Sequence, residues 1–388
     1  MNLAQIIATA ARRGASDVHV AAGQPIVLRV RGELVLLDGE PSPTPAATEA
    51  MARALLREDE WESCVTRGSA DKALTLEGAR CRINVLHSGG HVGLAVRLLP
   101  GDEVSVRSLN LHPDLRKLVE PTHGLVIVSG PTGCGKSSTL AALVQEINRT
   151  RARHIVTIEQ PVEFDLVPAH AFIRQREVGR DTPSFAQGVV DAMREDIDVL
   201  AVGEMRERET MRLTLDACET GHLVLATMHS GTAVEALQRV VSAFPAEEQP
   251  SVCAQLADVL LAVVTQHLVW RDDPGLRVPE CEVLLATTPV KAVLRQGQMF
   301  KLGQILETGS RQGMWTLPRY REWLDSRTEW VMPAPVHAQP EPRRDAGPPR
   351  APAAAPQRAS PPGEDVIVIR PEKGTVADIL SELDKDPP

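Results

Sequence analysis

The sequence predicts an α/β protein built on a parallel sheet, and three observations carry that prediction. The segment Gly130-Pro131-Thr132-Gly133-Cys134-Gly135-Lys136-Ser137 follows the apolar run Leu125–Val128 and precedes the helix-forming Ser138-Thr139-Leu140-Ala141-Ala142-Leu143. Near-continuous apolar runs at 125–129, 155–158, 198–202 and 223–227 alternate with helical patterns, as strands covered on both faces do. Ahead of them, the first hundred residues mix helical spacing with strand-like runs, which reads as a small α+β domain.

Each element has its own signal. Leu3, Ile6, Ile7 and Ala10 repeat at helical spacing; Val18–Val20 is a short strand; Ile26–Val30 and Leu34–Leu37 flank the turn Arg31-Gly32-Glu33. A helix is expected over about 47–57, and strands near Arg80–Val85 and Val92–Leu98. Pro100-Gly101-Asp102 opens a polar connector that runs to a helix near His112–Val119. The expected boundaries are therefore an N-terminal domain at 1–100, a linker at 101–120, a nucleotide domain at 121–331 and a tail at 332–388. Val252–Trp270 is the most apolar stretch, but Gln255, Asp258, Thr265, Gln266 and His267 interrupt it, so it reads as an amphipathic helix and not a membrane span. Beyond Val331 the chain turns to Pro and Ala through Pro362, too little apolar surface to offset chain entropy, and disorder is expected there. Asp365–Arg370 is a β-prone run and Val376–Leu383 a one-sided apolar helix, and both read as tethered docking segments.

Composition narrows the function classes. A chain of 388 residues exceeds one core, and a net charge of −9 argues against non-specific nucleic-acid binding. Six cysteines (Cys64, Cys81, Cys134, Cys218, Cys253 and Cys281) form no C-x-x-C pair, so neither zinc nor a disulfide framework is signalled, and reduced, buried thiols are expected. Met1-Asn2-Leu3 leads into a helical pattern and not a signal peptide, which points to a cytoplasmic protein.

The chemistry starts at the glycine loop. Gly130, Gly133 and Gly135 let the backbone turn so that successive N–H groups face a β-phosphate, and the helix opening near Lys136 adds the positive end of its dipole. Lys136 would reach the β- and γ-phosphates, and the Ser137 hydroxyl would take a place on Mg²⁺. The whole run Gly130–Ser138, with Pro131, Thr132, Cys134 and Ser138 included, is the expected nucleotide-binding segment. Glu204 follows the apolar Val199–Val202 and Gly203, so its carboxylate should emerge at the carboxyl end of a parallel strand, where ligands of open α/β sheets bind. His222 and His229 bracket Leu223–Met228, and an imidazole at the strand's end can sense a γ-phosphate; a core histidine bonded to backbone is the alternative, strongest at His222.

Several separate segments together resemble one family. Glu204-Met205-Arg206, Glu219-Thr220-Gly221-His222, Gln175-Arg176-Glu177-Val178-Gly179 and Ala15-Ser16-Asp17-Val18-His19 are similar to the secretion-type ATPases, closest to the PilT-like motors of type IV pilus retraction, over roughly residues 3–325. The resemblance implies a RecA-like P-loop NTPase core behind a PAS-like N-terminal domain, assembled as a homo-hexamer that hydrolyses ATP with Mg²⁺ and drives twitching motility. It implies Glu204 as the Walker B acid on the metal, and Glu163, in Thr157-Ile158-Glu159-Gln160-Pro161-Val162-Glu163-Phe164, as the carboxylate that polarises the attacking water. Gln160 departs from the family pattern, which has aspartate there. Arg82 and Arg97 match positions that reach toward bound nucleotide, although plain solvent-facing charges satisfy the same strand alternation. His222 and His229 resemble the family's histidine box. The implied partners are an inner-membrane pilus platform protein, which would hold the ring peripherally at that membrane, and a second pilus motor. Assembly and type II secretion motors, with their tetracysteine zinc insertion, and a weakly active nucleotide-binding accessory paralogue are the competing readings.

Overall fold

The computed structural model describes residues 2–30, 32–99 and 104–332. The tail and its two expected docking segments lie outside the described residues.

The chain opens with α1 (Leu3–Arg12), whose N-cap Asn2 accepts from Gln5 N while the Gln5 side chain accepts from Asn2 N, satisfying two orphan donors reciprocally. Its buried face is Leu3, Ile6, Ile7 and Ala10, as the spacing predicts. Strands β1 (Ala15–Val20), β2 (Val27–Val30) and β3 (Glu33–Leu36) follow, then helices α2 (Pro45–Arg53) and α3 (Glu58–Arg67), then β4 (Ser69–Leu76), β5 (Ala79–Ser88) and β6 (His91–Leu98). The six strands make one antiparallel sheet in the order β3-β2-β1-β6-β5-β4. Strand β5 alternates buried and half-buried residues along most of its length, so Cys81, Ile83 and Val85 enter the core while Arg80, Arg82 and Asn84 share the other face. The sequence reading lacks α3 and β4: the acidic Glu58–Glu60 start and the alternating Ser69–Leu76 carry too few apolar residues to register as elements.

A 3₁₀ helix over Pro113–Val119 stands where a helix is expected. Beyond it a seven-stranded sheet runs β13-β12-β7-β11-β10-β8-β9, formed by β7 (Gly124–Ser129), β8 (His154–Glu159), β9 (Phe172–Glu177), β10 (Val199–Val202), β11 (Leu223–Met228), β12 (Leu260–Arg271) and β13 (Leu276–Leu285). All neighbours are parallel except β12 and β13. Strands β7, β10 and β11 are buried at every residue, the consequence of helices on both faces: α4 (Lys136–Thr150), α5 (Phe185–Ala192), α6 (Arg208–Glu219), α7 (Ala233–Ser242) and α8 (Gln249–Val259). This is the α/β class expected, with an antiparallel sheet ahead of the parallel one.

One element differs from its expectation. The apolar stretch Val252–Trp270 is not a single helix: α8 ends at Val259 and Leu260–Arg271 is strand. The β-branched Val263-Val264-Thr265 run favours the pleated surface, and parallel pairing with β7, Val264 opposite Val128 and Thr265 opposite Ser129, buries both faces there. Of the polar interruptions, Gln255 and Asp258 lie on α8, whereas Thr265, Gln266 and His267 are strand residues. All six cysteines are free and buried. Among the described residues no helix is long and apolar enough to cross a membrane.

Candidate nucleotide site

Four adjacent strands, β7, β11, β10 and β8, end on the same edge of the sheet, and each delivers one part of a cleft of about 370 Å³. The glycine loop leaves β7, His229 follows β11, Gly203 and Glu204 follow β10, and Glu159 ends β8 with Gln160 and Glu163 beyond it. Arg82 and Arg97 line the same cleft from the antiparallel sheet. A crevice at the carboxyl ends of parallel strands is where open α/β sheets bind ligands.

The loop's form is dictated by its glycines. Gly130, Gly133 and Gly135 have φ of 145°, 77° and 88°, in the region closed to most side chains. Gly130 is also held by space, since a Cβ there would collide with the Gln266 carbonyl and the Cys134 sulfur. Gly135 caps α4, so the first turn of that helix opens onto the cleft beside Thr132, Gly133 and Ser137. Cys134 is buried beneath the loop and takes part through its backbone.

Lys136 is buried, and its Nζ donates to Gly130 O at 3.0 Å, Pro131 O at 2.9 Å and His229 Nδ1 at 3.3 Å. None of these three partners is anionic, and burial lowers the pKa of the ammonium. An ammonium only donates, which makes His229 Nδ1 the acceptor and puts the neutral ring's proton on Nε2. That nitrogen lies 3.5 Å from Glu204 Oε1. His229 thus bridges the lysine of the glycine loop and the acid after β10. Its pKa is lowered, chiefly by burial and next by the Lys136 charge. Arg239 of α7 fixes the backbone there by donating to His229 O at 2.7 Å.

The carboxylates after β8 differ in role. Glu159 is tied down by Thr157 Oγ1 at 2.6 Å and Gln175 Nε2 at 3.0 Å, and burial raises its pKa. Glu163 stays available in the cleft, with Arg82 Nη1 3.8 Å from its Oε1. Strand β9 shapes the loop that carries it: Gln175 donates to Phe164 O and accepts from Leu166 N, both at 2.8 Å, and Glu177 accepts from Val162 N at 3.1 Å. From the antiparallel sheet, Arg80 Nη2 donates to Val162 O at 2.7 Å. Arg97, directly opposite Arg82 across β5 and β6, is held by Asp17 Oδ1 at 3.0 Å.

Of the expected site residues, Gly130, Pro131, Cys134 and Ser138 do not line the cleft, and neither does His222. It sits at the amino end of β11, opposite in strand direction to His229, with Nδ1 against Ala217 O at 3.0 Å and Thr220 Oγ1 at 3.2 Å. The ring closes the turn between α6 and β11 and is not among the residues that line the cleft. Sequence reading also missed Gln175, Glu177 and Gln266 as site-shaping residues. The first two lay inside a motif quoted whole, and Gln266 lay in a stretch read as helix.

The donor set suits a divalent hard cation and a polyphosphate: Ser137 hydroxyl and Glu204 carboxylate are oxygens in one cleft, beside a helix N-terminus and a buried ammonium.

A fold of this kind with this loop defines a P-loop nucleotide-binding ATPase, and residues 1–300 match the family described as type II/IV secretion system protein, to which the chain belongs. Within that family it is a homologue of the pilus retraction ATPases. It is 35% identical over 318 residues to the type IV pilus retractation ATPase PilT of Pseudomonas aeruginosa, covering 82% of this chain and 92% of that protein. It is 40% identical over 239 residues to a twitching motility protein of Neisseria gonorrhoeae, covering 62% and 64%. The crystal structure of the pilus retraction motor PilT with bound ADP superposes with a TM-score of 0.75 at 35% identity, covering 83% of this chain and 96% of that one.

Proposed function

We propose that this protein is a Mg²⁺-dependent ATPase whose subunits form a homo-hexameric ring and drive type IV pilus retraction at the inner membrane, through a platform protein there. The observation that supports it best is the convergence of Lys136, Ser137, Glu204, Glu163 and His229 with Arg82 and Arg97 on one cleft.

The residues divide the task. The N–H groups of the loop and Lys136 bind phosphate, exchanging the present carbonyl partners of Nζ for phosphate oxygens. Ser137 and Glu204 would hold Mg²⁺, which would supply charge neutralisation for the phosphoryl group. Glu163 orients the attacking water and accepts its proton, with Glu159 locked too firmly by Thr157 and Gln175 to do so. His229 senses the γ-phosphate by losing or keeping its Lys136 contact. Arg82 and Arg97 supply guanidinium charge to the transition state, Arg97 once it leaves Asp17. Because the arginines sit on a sheet outside the parallel core, rigid-body motion of one sheet against the other couples turnover to mechanical work.

The test is ATP turnover of the purified protein with and without Mg²⁺, with Glu204→Gln as the control. Turnover that needs Mg²⁺ and collapses in Glu204→Gln is the expected result, and Mg²⁺-independent turnover refutes the reading. Pilus retraction itself is tested by complementing a retraction-defective strain with the wild-type and Glu204→Gln chains.

A further inference from the structure

Beneath the glycine loop, Gln266 of β12 is buried and makes two side-chain hydrogen bonds: Nε2 donates to Cys134 O at 2.5 Å and Oε1 accepts from Thr139 Oγ1 at 2.6 Å. The orientation of the amide is fixed by chemistry, since a carbonyl can only accept and must therefore face Nε2. Its own backbone carbonyl lies where a Cβ on Gly130 would have to go, and a Cβ on Gly135 would come within 2.9 Å of Nε2. One residue thus touches the beginning and the end of the loop, and through Thr139 the first turn of α4.

The consequence follows from peptide geometry. The Cys134 carbonyl and the Gly135 N–H belong to one trans peptide and point in opposite directions. Gly135, at φ 88°, offers little resistance to rotation of that unit. We infer that Gln266 is a positioning residue for nucleotide binding: by holding the Cys134 carbonyl down toward β12, it keeps the Gly135 N–H turned into the phosphate cradle. This inference rests on the nucleotide-site reading above. Gln266 does not touch nucleotide in this account; it sets the orientation of a donor that does.

The experiment uses the full chain and titrates ADP, followed by ATP turnover, on wild type, Gln266→Met, Gln266→Glu and Thr139→Val. Gln145→Met, which removes a buried amide acceptor of Asn148 elsewhere on α4, controls for the general effect of losing a buried amide. Gln266→Met keeps the volume and loses both bonds; it should bind ADP at least about tenfold more weakly, with the loss in KM more than in kcat, while its unliganded melting midpoint stays near that of Gln145→Met. Gln266→Glu keeps the acceptor for Thr139 but cannot donate to Cys134 O, and should bind as weakly as Gln266→Met. Thr139→Val frees only one end of the amide and should show a smaller loss in the same direction, restored by Thr139→Ser. Wild-type affinity in a folded Gln266→Met overturns the inference. If that variant does not fold, wild-type affinity in both Gln266→Glu and Thr139→Val overturns it instead. A wild-type protein that binds no ADP removes the parent reading and this inference with it, whereas normal wild-type binding with unaffected variants removes the inference alone.

Discussion

The two sheets of this protein solve different problems with the same backbone. In the parallel sheet, β7, β10 and β11 are buried at every residue, and the glycine loop, Glu204 and His229 stand just past their ends. In the antiparallel sheet, β5 buries one face and leaves the other half-open, so Arg80, Arg82 and, opposite Arg82 on β6, Arg97 are carried within strands and not past their ends. The first design gives rigid placement of phosphate-binding groups. The second supplies charge on long side chains from a separate sheet. Glu163 sits where the two meet, with Arg82 near its carboxylate and Arg80 bonded to the loop that carries it.

The sharpest way to break this contrast is at the rigid side. Lys136→Ala should abolish productive nucleotide binding, whereas Glu204→Gln should still bind ATP yet turn it over at least about a hundredfold more slowly, roughly 2.7 kcal/mol of transition-state stabilisation. Equilibrium binding and turnover on both variants separate the two roles. Near-normal hydrolysis by Glu204→Gln removes the Walker B assignment.

Stability should differ between the sheets as function does. Ile127 is fully buried in β7 and Leu36 is 52% exposed on the edge strand β3. Ile127→Ala should cost about 2–5 kcal/mol through lost contacts and a residual cavity, while Leu36→Ala stays within about 0.5 kcal/mol. Chemical denaturation of each variant measures it. Equal losses would mean that β3 is covered in the assembled protein.

The arginines of the antiparallel sheet lend themselves to mixing experiments. If Arg82 or Arg97 completes a site that depends on ring geometry, wild type mixed with an Arg→Ala subunit that still assembles should lose activity more than in proportion to the mutant fraction. A linear mixing curve points to subunits that fire alone. Asp17→Asn adds a finer test: the Arg97–Asp17 pair is largely exposed on the arginine side and stabilises by at most about 1 kcal/mol, so any clear change in turnover reflects where Arg97 points.

How far the sequence revealed this arrangement follows from the same contrast. Residues at the end of an apolar run, as in the glycine loop, Glu204 and His229, stand on the cleft at the carboxyl ends of strands, where the sequence pattern puts them. Roles set by contacts between distant segments were not legible. Gln266 meets Cys134 and Thr139 across more than a hundred residues of chain, and its strand reads as helix because its apolar content satisfies either period. The sequence already favours His229, at the carboxyl end of β11, over His222, which the structure places at the amino end with its ring against Ala217 O. Elements with few apolar residues, α3 and β4, give no periodic signal although packing against the N-terminal core holds them.

The smallest expected effect concerns protons at the meeting of loop and acid. Burial, reinforced by the neighbouring Lys136 charge, lowers the His229 pKa, and burial lowers that of His112 as well. For a histidine held neutral in the fold, the unfolded chain takes up the proton first, so its contribution to stability is present above the ordinary value of about 6.5 and is lost as pH falls through the folded-state value. Denaturation midpoints measured from pH 7.5 downward should therefore decline, with part of the decline removed in His229→Gln and another part in His112→Gln. The His229 share is small, because its side chain is 37% exposed and water screens the shift. Its functional trace is easier to see: a protonated Nδ1 cannot accept from Lys136, so acidification should release that contact and change ADP affinity in wild type, with a flatter pH profile in His229→Gln. Identical affinity profiles for the two proteins would show that His229 does not report the state of the lysine, and would leave Arg239 and α7 without a part in sensing.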